Sequence, residues 1–285
     1  MTRTLALAGA ALLALSASAA AQQDFHWSQR LARGEEIRIK NVIGDVRAEP
    51  TTGSEVTVTA VRRGPNADRV RIEVVHREDA WVVCAIYPND GGGDDDGWVM
   101  RNDHDDDGEP RDACNPRHMS VRRGSPAVDF TVHVPAGVPL AAATVSGNVR
   151  AADLRGAVRA SSVSGDVDVA ADGPVKATSV SGNVAATVRR VGGDAGVKLS
   201  TVSGDVTLRL PAGADADLSA RTLSGRIESD FPVRLGSMDE RRDDDREGFV
   251  RVNVRIGHEA RARLGRGGPE IKINTVSGDI TLRRI

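Results

Sequence analysis

The chain has 285 residues, with 38 Lys and Arg against 40 Asp and Glu and only 3% aromatic residues. So balanced a charge, with its cations scattered along the sequence, argues against nucleic acid as a partner. So few rings exclude a core packed on bulky aromatics, and the abundant Val, Ala and Gly suit thin, regular strands.

Residues 1–21 read as a secretory signal. Arg3 gives the positive start, Leu5 to Leu15 the apolar segment, and Ala19-Ala20-Ala21 the cleavage site before Gln22. That segment is short for a bilayer span and no second one follows, so the mature chain is expected to lack a transmembrane segment and to be periplasmic or secreted. No Cys follows the cleavage site, which argues against a lipid anchor.

Residues 22–135 read as an N-terminal β-strand region. Val56 to Val58, Val70 to Val74, Trp81 to Tyr87 and Val128 to Val134 alternate or run apolar, as strands do. Between them lies an acidic insertion, residues 88–113, in which Asp90 to Asp112 hold ten acidic residues against Arg101 and Arg111. Cys84 and Cys114 flank it; in an exported chain an even pair reads first as a disulfide. Asp103, Asp105 and Asp107, followed by Gly108, match the first half of a calcium-binding EF-hand loop. Cys114 stands where the bidentate Glu should be, so the expectation is at most weakly bound calcium and no other cofactor.

Residues 136–285 read as a β-repeat region carrying the motif V-S-G-D/N, with a charged insertion at 230–248. A twelve-residue template, apolar at positions 1, 3, 6, 10 and 12 with Gly at 8, occurs seven times in the whole chain, the Leu218 copy departing from it only in ending on the polar Ser229. The copies start at Ile37, Leu140, Val158, Val175, Val197, Leu218 and Ile271. Positions 1 and 3 share a phase and positions 6, 8, 10 and 12 share another, so a bend is expected at positions 4 and 5, with Gly on the inward side. A Gly-Asp hairpin is the alternative, but it would pair Val202 with Thr207 and Ser203 with Val206. The expected fold is therefore all-β, a stacked-strand β-solenoid-like repeat domain, with an antiparallel β-sandwich or meander second. Outside the signal no stretch shows a helical period.

The opening I-x-I-x-N-V-x-G-D-V, the V-P-A-G-V before repeated T-V-S-G-N/D-V and the closing I-x-I-N-T-V-S-G-D-I resemble the bacterial "putative adhesin" family of β-strand-repeat proteins, a domain of unknown function, over about residues 35 to 285. The resemblance implies an all-β repeat fold at the cell envelope and brings no catalytic residues.

No G-x-S-x-G elbow occurs, and the six histidines are scattered without ligand spacing. The pair Asp166 and Asp168 reads as solvated surface. The expected function is thus an exported, non-enzymatic envelope or secreted interaction protein, adhesin-like, whose partner is an unidentified envelope protein or polysaccharide. A carbohydrate-active β-helix enzyme is the alternative, marked by a groove gathering several carboxylates and a basic residue; an end-to-end polymer is the second.

Overall fold

A computed structural model describes residues 25–87, 114, 124–191, 196–237 and 258–285. The signal segment, the calcium candidates Asp103, Asp105 and Asp107, and the alternating run from Val250 to Ile256 lie outside the described residues.

The N-terminal part contributes β1 (Phe25–Gln29), β2 (Glu36–Lys40), β3 (Val46–Thr51), β4 (Val56–Arg63), β5 (Arg71–Arg77), β6 (Ala80–Ile86) and β7 (Ala127–Pro135). The repeats follow as strand pairs: β8 (Leu140–Ser146) with β9 (Val149–Leu154), β10 (Val158–Ser164) with β11 (Val167–Ala171), and β12 (Val175–Thr178) with β13 (Val184–Val188). Then come β14 (Val197–Ser203) with β15 (Val206–Leu210) and β16 (Ala216–Ser224) with β17 (Ile227–Ser229). β18 (Arg234–Ser237) and β19 (His258–Leu264) precede the last pair, β20 (Glu270–Ser277) and β21 (Ile280–Arg284). A single 3-10 turn, Ala67–Arg69, is the only helical element among the described residues.

Each template copy is one coil. Its first half lies in an eleven-stranded first sheet and its second half in a ten-stranded second sheet. Neighbouring coils pair in parallel with equal template positions aligned, Val158 beside both Leu140 and Val175 and Val197 beside Ile271. The Gly-Asp hairpin is thereby excluded. Positions 1, 3, 10 and 12 face between the sheets and build one continuous core of Val, Leu, Ile and Ala.

Two features of the stack are not those of the chain order. The last coil, β20–β21, sits between β14–β15 and β16–β17, and so does not follow β17 in space. β6 and β7 run parallel to β2 and β3, with Val83 beside Ile39 and Phe130 beside Val46. They form an eighth coil whose two halves are separated in the sequence by residues 87–126. The ends of the stack are closed by antiparallel strands: β4 on β7, β1 on β4 and β5 on β6 at one end, β19 on β16 and β18 on β19 at the other. Trp27 and Trp81, half-buried with ring centroids 5.4 Å apart, pack against the core at the N-terminal end, and His76 stacks on Trp81 at 4.3 Å.

The corner between the two sheets corrects the expected phase. The chain does not bend at positions 4 and 5; position 5, a Thr or Ser in six copies and Asn41 in the first, stays inward, and the turn runs through positions 6 to 9. The Thr or Ser hydroxyl donates to the glycine carbonyl of the adjacent coil, as in Thr201 Oγ1 to Gly182 O at 2.9 Å and Thr222 Oγ1 to Gly278 O at 2.9 Å. The position 9 side chain accepts the position 9 N–H of the next coil. This relay runs unbroken from Asp129 through Asp45, Asn148, Asp166, Asn183, Asp205 and Asp279 to the N–H of Arg226. Position 6 then points outward. Val145, Val163, Val180, Val202, Val276 and Leu223 are 40–46% exposed, where the alternation placed them in the core.

In the first coil Val42 is buried instead, because Tyr87 closes that corner. The Tyr87 hydroxyl donates to Ile43 O at 2.9 Å and accepts from Ile43 N at 3.2 Å, and burial pushes its pKa up to about 12. Tyr87→Phe leaves both backbone groups without that partner, and a loss of about 1–3 kcal/mol is expected in denaturant unfolding.

The disulfide expected between Cys84 and Cys114 is present, at S–S 2.06 Å. Cys84 and Cys114 are buried with Val82 in a small cluster, against which Val75 and Ile86 pack, separate from the main core.

Three carboxylates that accept turn N–H groups are held below their ordinary pKa. Glu35 accepts from Ala32 N and pairs with His76, Asp215 accepts from Arg266 N and its guanidinium, and Asp230 accepts from Arg284 N and pairs with Arg283. Because the folded values are the lower ones, their contribution is complete above the unfolded values of 4.5 for Glu35 and 3.8 for the two Asp, and is lost as pH falls through the folded ones. Urea midpoints should therefore be level from neutrality to about pH 5 and drop below about pH 4; a midpoint unchanged at pH 3 contradicts this.

Candidate functional site

Because positions 1, 3 and 5 point inward, positions 2 and 4 of the seven template coils, and position 6 of all but the first, crop out together on the outer face of the first sheet. Position 2 aligns Arg38, Ala141, Arg159, Lys176, Lys198, Lys272 and Ser219 across successive strands. Four consecutive coils thus carry a cation at the same level. Position 4 aligns Ala143, Ser161, Thr178, Ser200 and Asn274, a floor of short side chains, with Lys40 at one end and Arg221 at the other. Position 6 adds the exposed aliphatic row from Val145 to Leu223. The result is a trough with a cationic ridge and an aliphatic ridge, roughly 13 Å apart and running along the stack for roughly 24 Å.

Electrostatics vary along the cationic ridge. At one end Glu36 accepts from both Arg38 Nε and an Arg159 terminal nitrogen at 2.6 Å, bridging the gap over Ala141. Lys272 pairs with Glu270 at 2.7 Å. Between them Lys176 and Lys198, exposed and directly in register, have no acidic partner among the described residues. Like charges set side by side on a sheet oppose folding, and nothing in the coil requires them. The second sheet does not repeat the pattern. Its matching row reads Arg47, Arg150, Asp168, Ala185, Thr207, Thr281 and Glu228.

A hollow of about 380 Å³ opens at the N-terminal end of the trough, where the short Ala141 and Ala143 lie between Arg38, Lys40, Arg159 and Lys176. Lys40 Nζ donates to Cys114 O at 3.4 Å, so the disulfide anchors the end of the acidic insertion beside this hollow.

The position 7 serines of the corner also stand in register along the stack. Ser203 neighbours Ser181 and Ser277, and Ser277 separates it from Ser224. Asp166 and Asp168 are both exposed, as expected of solvated surface; the Asp166 carboxylate also accepts the Asn183 N–H in the corner relay, and Asp168 lies on the second sheet. Sequence reasoning missed the trough because each copy shows a single Lys or Arg at position 2, which reads as an ordinary solvated side chain. A comparison of position 2 across aligned copies is the signal that would have found it.

The Toastrack DUF4097 family matches residues 139–283, from the residue before β8 into β21. The chain belongs to this family. The Toastrack match takes in six of the eight coils and leaves β2–β3 and β6–β7 outside, although both continue the same parallel stack. The Toastrack domain has no established function. Among solved structures, the chain is similar to a "putative cell adhesion protein" from Clostridium sporogenes ATCC 15579, at 10% identity and TM-score 0.45, over 92% of this chain and 99% of that one. It is also similar to a "putative adhesin" from Bacteroides fragilis NCTC 9343, at 12% identity and TM-score 0.24, over 92% and 96%. Likeness at that level carries no argument about function. No curated protein matches the chain. Among the described residues no helix is long and apolar enough to cross a membrane.

Proposed function

We propose that this Toastrack protein is an exported, non-enzymatic interaction protein of the envelope, periplasmic or secreted, which presents the outer face of its first sheet to an envelope partner. The observation that carries the reading is the pair of ridges on that face. Thr or Ser, Gly and Asp or Asn of the corners are consumed in stacking the coils, whereas the position 6 Val side chains outside the first coil stay 40–46% exposed and the in-register Lys176 and Lys198 have no acidic partner among the described residues. Among the described residues the trough gathers cations and no facing pair of carboxylates, and the buried carboxylate beside it, Glu36, is already bound by two guanidinium groups. That disposition supports binding over glycoside hydrolysis, which needs two carboxyl groups across the scissile bond. Cell fractionation with N-terminal sequencing and co-sedimentation with isolated envelope fragments tests the reading. The expected result is a chain beginning at Gln22 outside the cytoplasm that sediments with the fragments. An uncleaved cytoplasmic chain that stays in the supernatant would sink it.

The acidic insertion is proposed as a weak calcium site on Asp103, Asp105 and Asp107. Calorimetry should give a Kd of around 10⁻⁴–10⁻³ M. The Asp103→Asn, Asp105→Asn, Asp107→Asn triple variant should lose it; an unchanged titration removes the site.

A further inference from the structure

Resting on the interaction reading above, we propose that the trough of the first sheet binds an extended acidic polysaccharide, a polyuronate, laid along the stack with its carboxylates on the Arg159–Lys176–Lys198–Lys272 ridge. Three observations select this ligand chemistry. The cations recur once per coil, roughly every 4.8 Å, an interval close to one pyranose repeat. The opposite ridge, Val163, Val180, Val202 and Val276, offers aliphatic contact to the C–H faces of sugar rings. The floor between them, Ser161, Thr178, Ser200 and Asn274, offers short hydroxyl and amide groups to sugar hydroxyls.

The same rows argue against other occupants. Among the described residues no aromatic side chain stands on the trough, so bases have no stacking platform there and a single-stranded nucleic acid gains only charge. For the same reason a neutral glycan finds no ring to lie against, and affinity must come from repeated carboxylate contacts. Guanidinium and ammonium donors suit carboxylates well, because a charge-assisted hydrogen bond is about twice as strong as a neutral one. Small contacts in register also add up along a polymer, since each later contact forms within an already tethered chain.

Calorimetry with the mature chain at low ionic strength tests this. The probe is a galacturonate oligomer long enough to cover six coils, and its comparators are the fully methyl-esterified oligomer, free galacturonic acid and a polyphosphate of matched charge. The oligomer should bind, the ester and the monomer should bind at least tenfold more weakly, and the polyphosphate should bind more weakly than the oligomer. The Lys176→Glu, Lys198→Glu double variant should lose at least tenfold in affinity. The Arg150→Glu, Arg209→Glu variant, which changes net charge equally on the second sheet, should lose less than threefold. Val180→Ser with Val202→Ser should cost a smaller but measurable factor while leaving thermal melts unchanged. The polysaccharide assignment is overturned if the oligomer does not bind, if polyphosphate binds as well, or if the second-sheet variant loses as much as Lys176→Glu, Lys198→Glu. Where envelope fragments still sediment the parent protein in that event, the interaction reading stands and only the ligand class falls.

Discussion

Gly204→Ala is expected to cost about 3–5 kcal/mol, combining backbone strain with at least one disrupted inter-coil contact. Gly204 has φ +151°, a conformation that L side chains rarely adopt, and a Cβ there would stand 2.2 Å from the carbonyl oxygen of Gly182 in the neighbouring coil. That oxygen is backbone and already accepts the Thr201 hydroxyl, so it cannot swing aside as a flexible side chain would. An inward glycine facing the core would behave differently, since a single methyl group there would be absorbed or even favourable. Ser203→Val, at the exposed neighbouring position, should stay within about 0.5 kcal/mol. Equal melts for the two variants would mean that the corner can relax and that its glycine is dispensable.

Removing residues 269–285 should have a larger effect. The truncation takes out β20 and β21, and with them Ile271, Ile273, Ile280 and Leu282, each fully buried. Their burial alone contributes roughly 6–12 kcal/mol at about 1.5–3 kcal/mol per side chain, comparable with the whole stability of a typical domain. The loss is not confined to the end of the stack, because this coil lies between β14–β15 and β16–β17. Its absence strips a parallel partner from both neighbours. Limited proteolysis should therefore cut within residues 216–229 of the truncated chain and spare them in the parent. One rearrangement competes: Leu218 and Val197 hold the same template position, so β16 could close directly onto β14. A truncated chain that keeps residues 216–229 protected and melts with the parent would show that the coils re-register and that the intercalated position adds little.

Much of the fold was legible in the residues. The seven template copies give all-β structure, parallel register and the core positions 1, 3, 10 and 12, because an alternating strand with one apolar face has few ways to bury it. The disulfide was legible because a chain with two cysteines has one intramolecular pairing. Position 6 was not legible. Extrapolating period two through V-S-G-D assumes a strand, and the glycine conformation at Gly204 turns the chain instead, so Thr201 goes in and Val202 goes out. The coil of β6 and β7 was hidden for a related reason: its halves read as strands, but residues 87–126 occupy the place in the sequence where the corner motif would have marked them as one unit.

The sequence by itself determined what a coil is, that its positions 1, 3, 10 and 12 face inward, and which residue types its corner needs. Only the tertiary structure decided which coils touch. Nearly equivalent copies present nearly equivalent edges, so any copy can stack on any other, and chain order does not dictate spatial order. The placement of β20–β21 beside β14–β15 follows from that freedom, and so does the basic trough. Arg159, Lys176, Lys198 and Lys272 are four isolated cations along the chain, with the last 74 residues beyond the third. They become a single ridge because backbone hydrogen bonds hold equal template positions at one strand spacing.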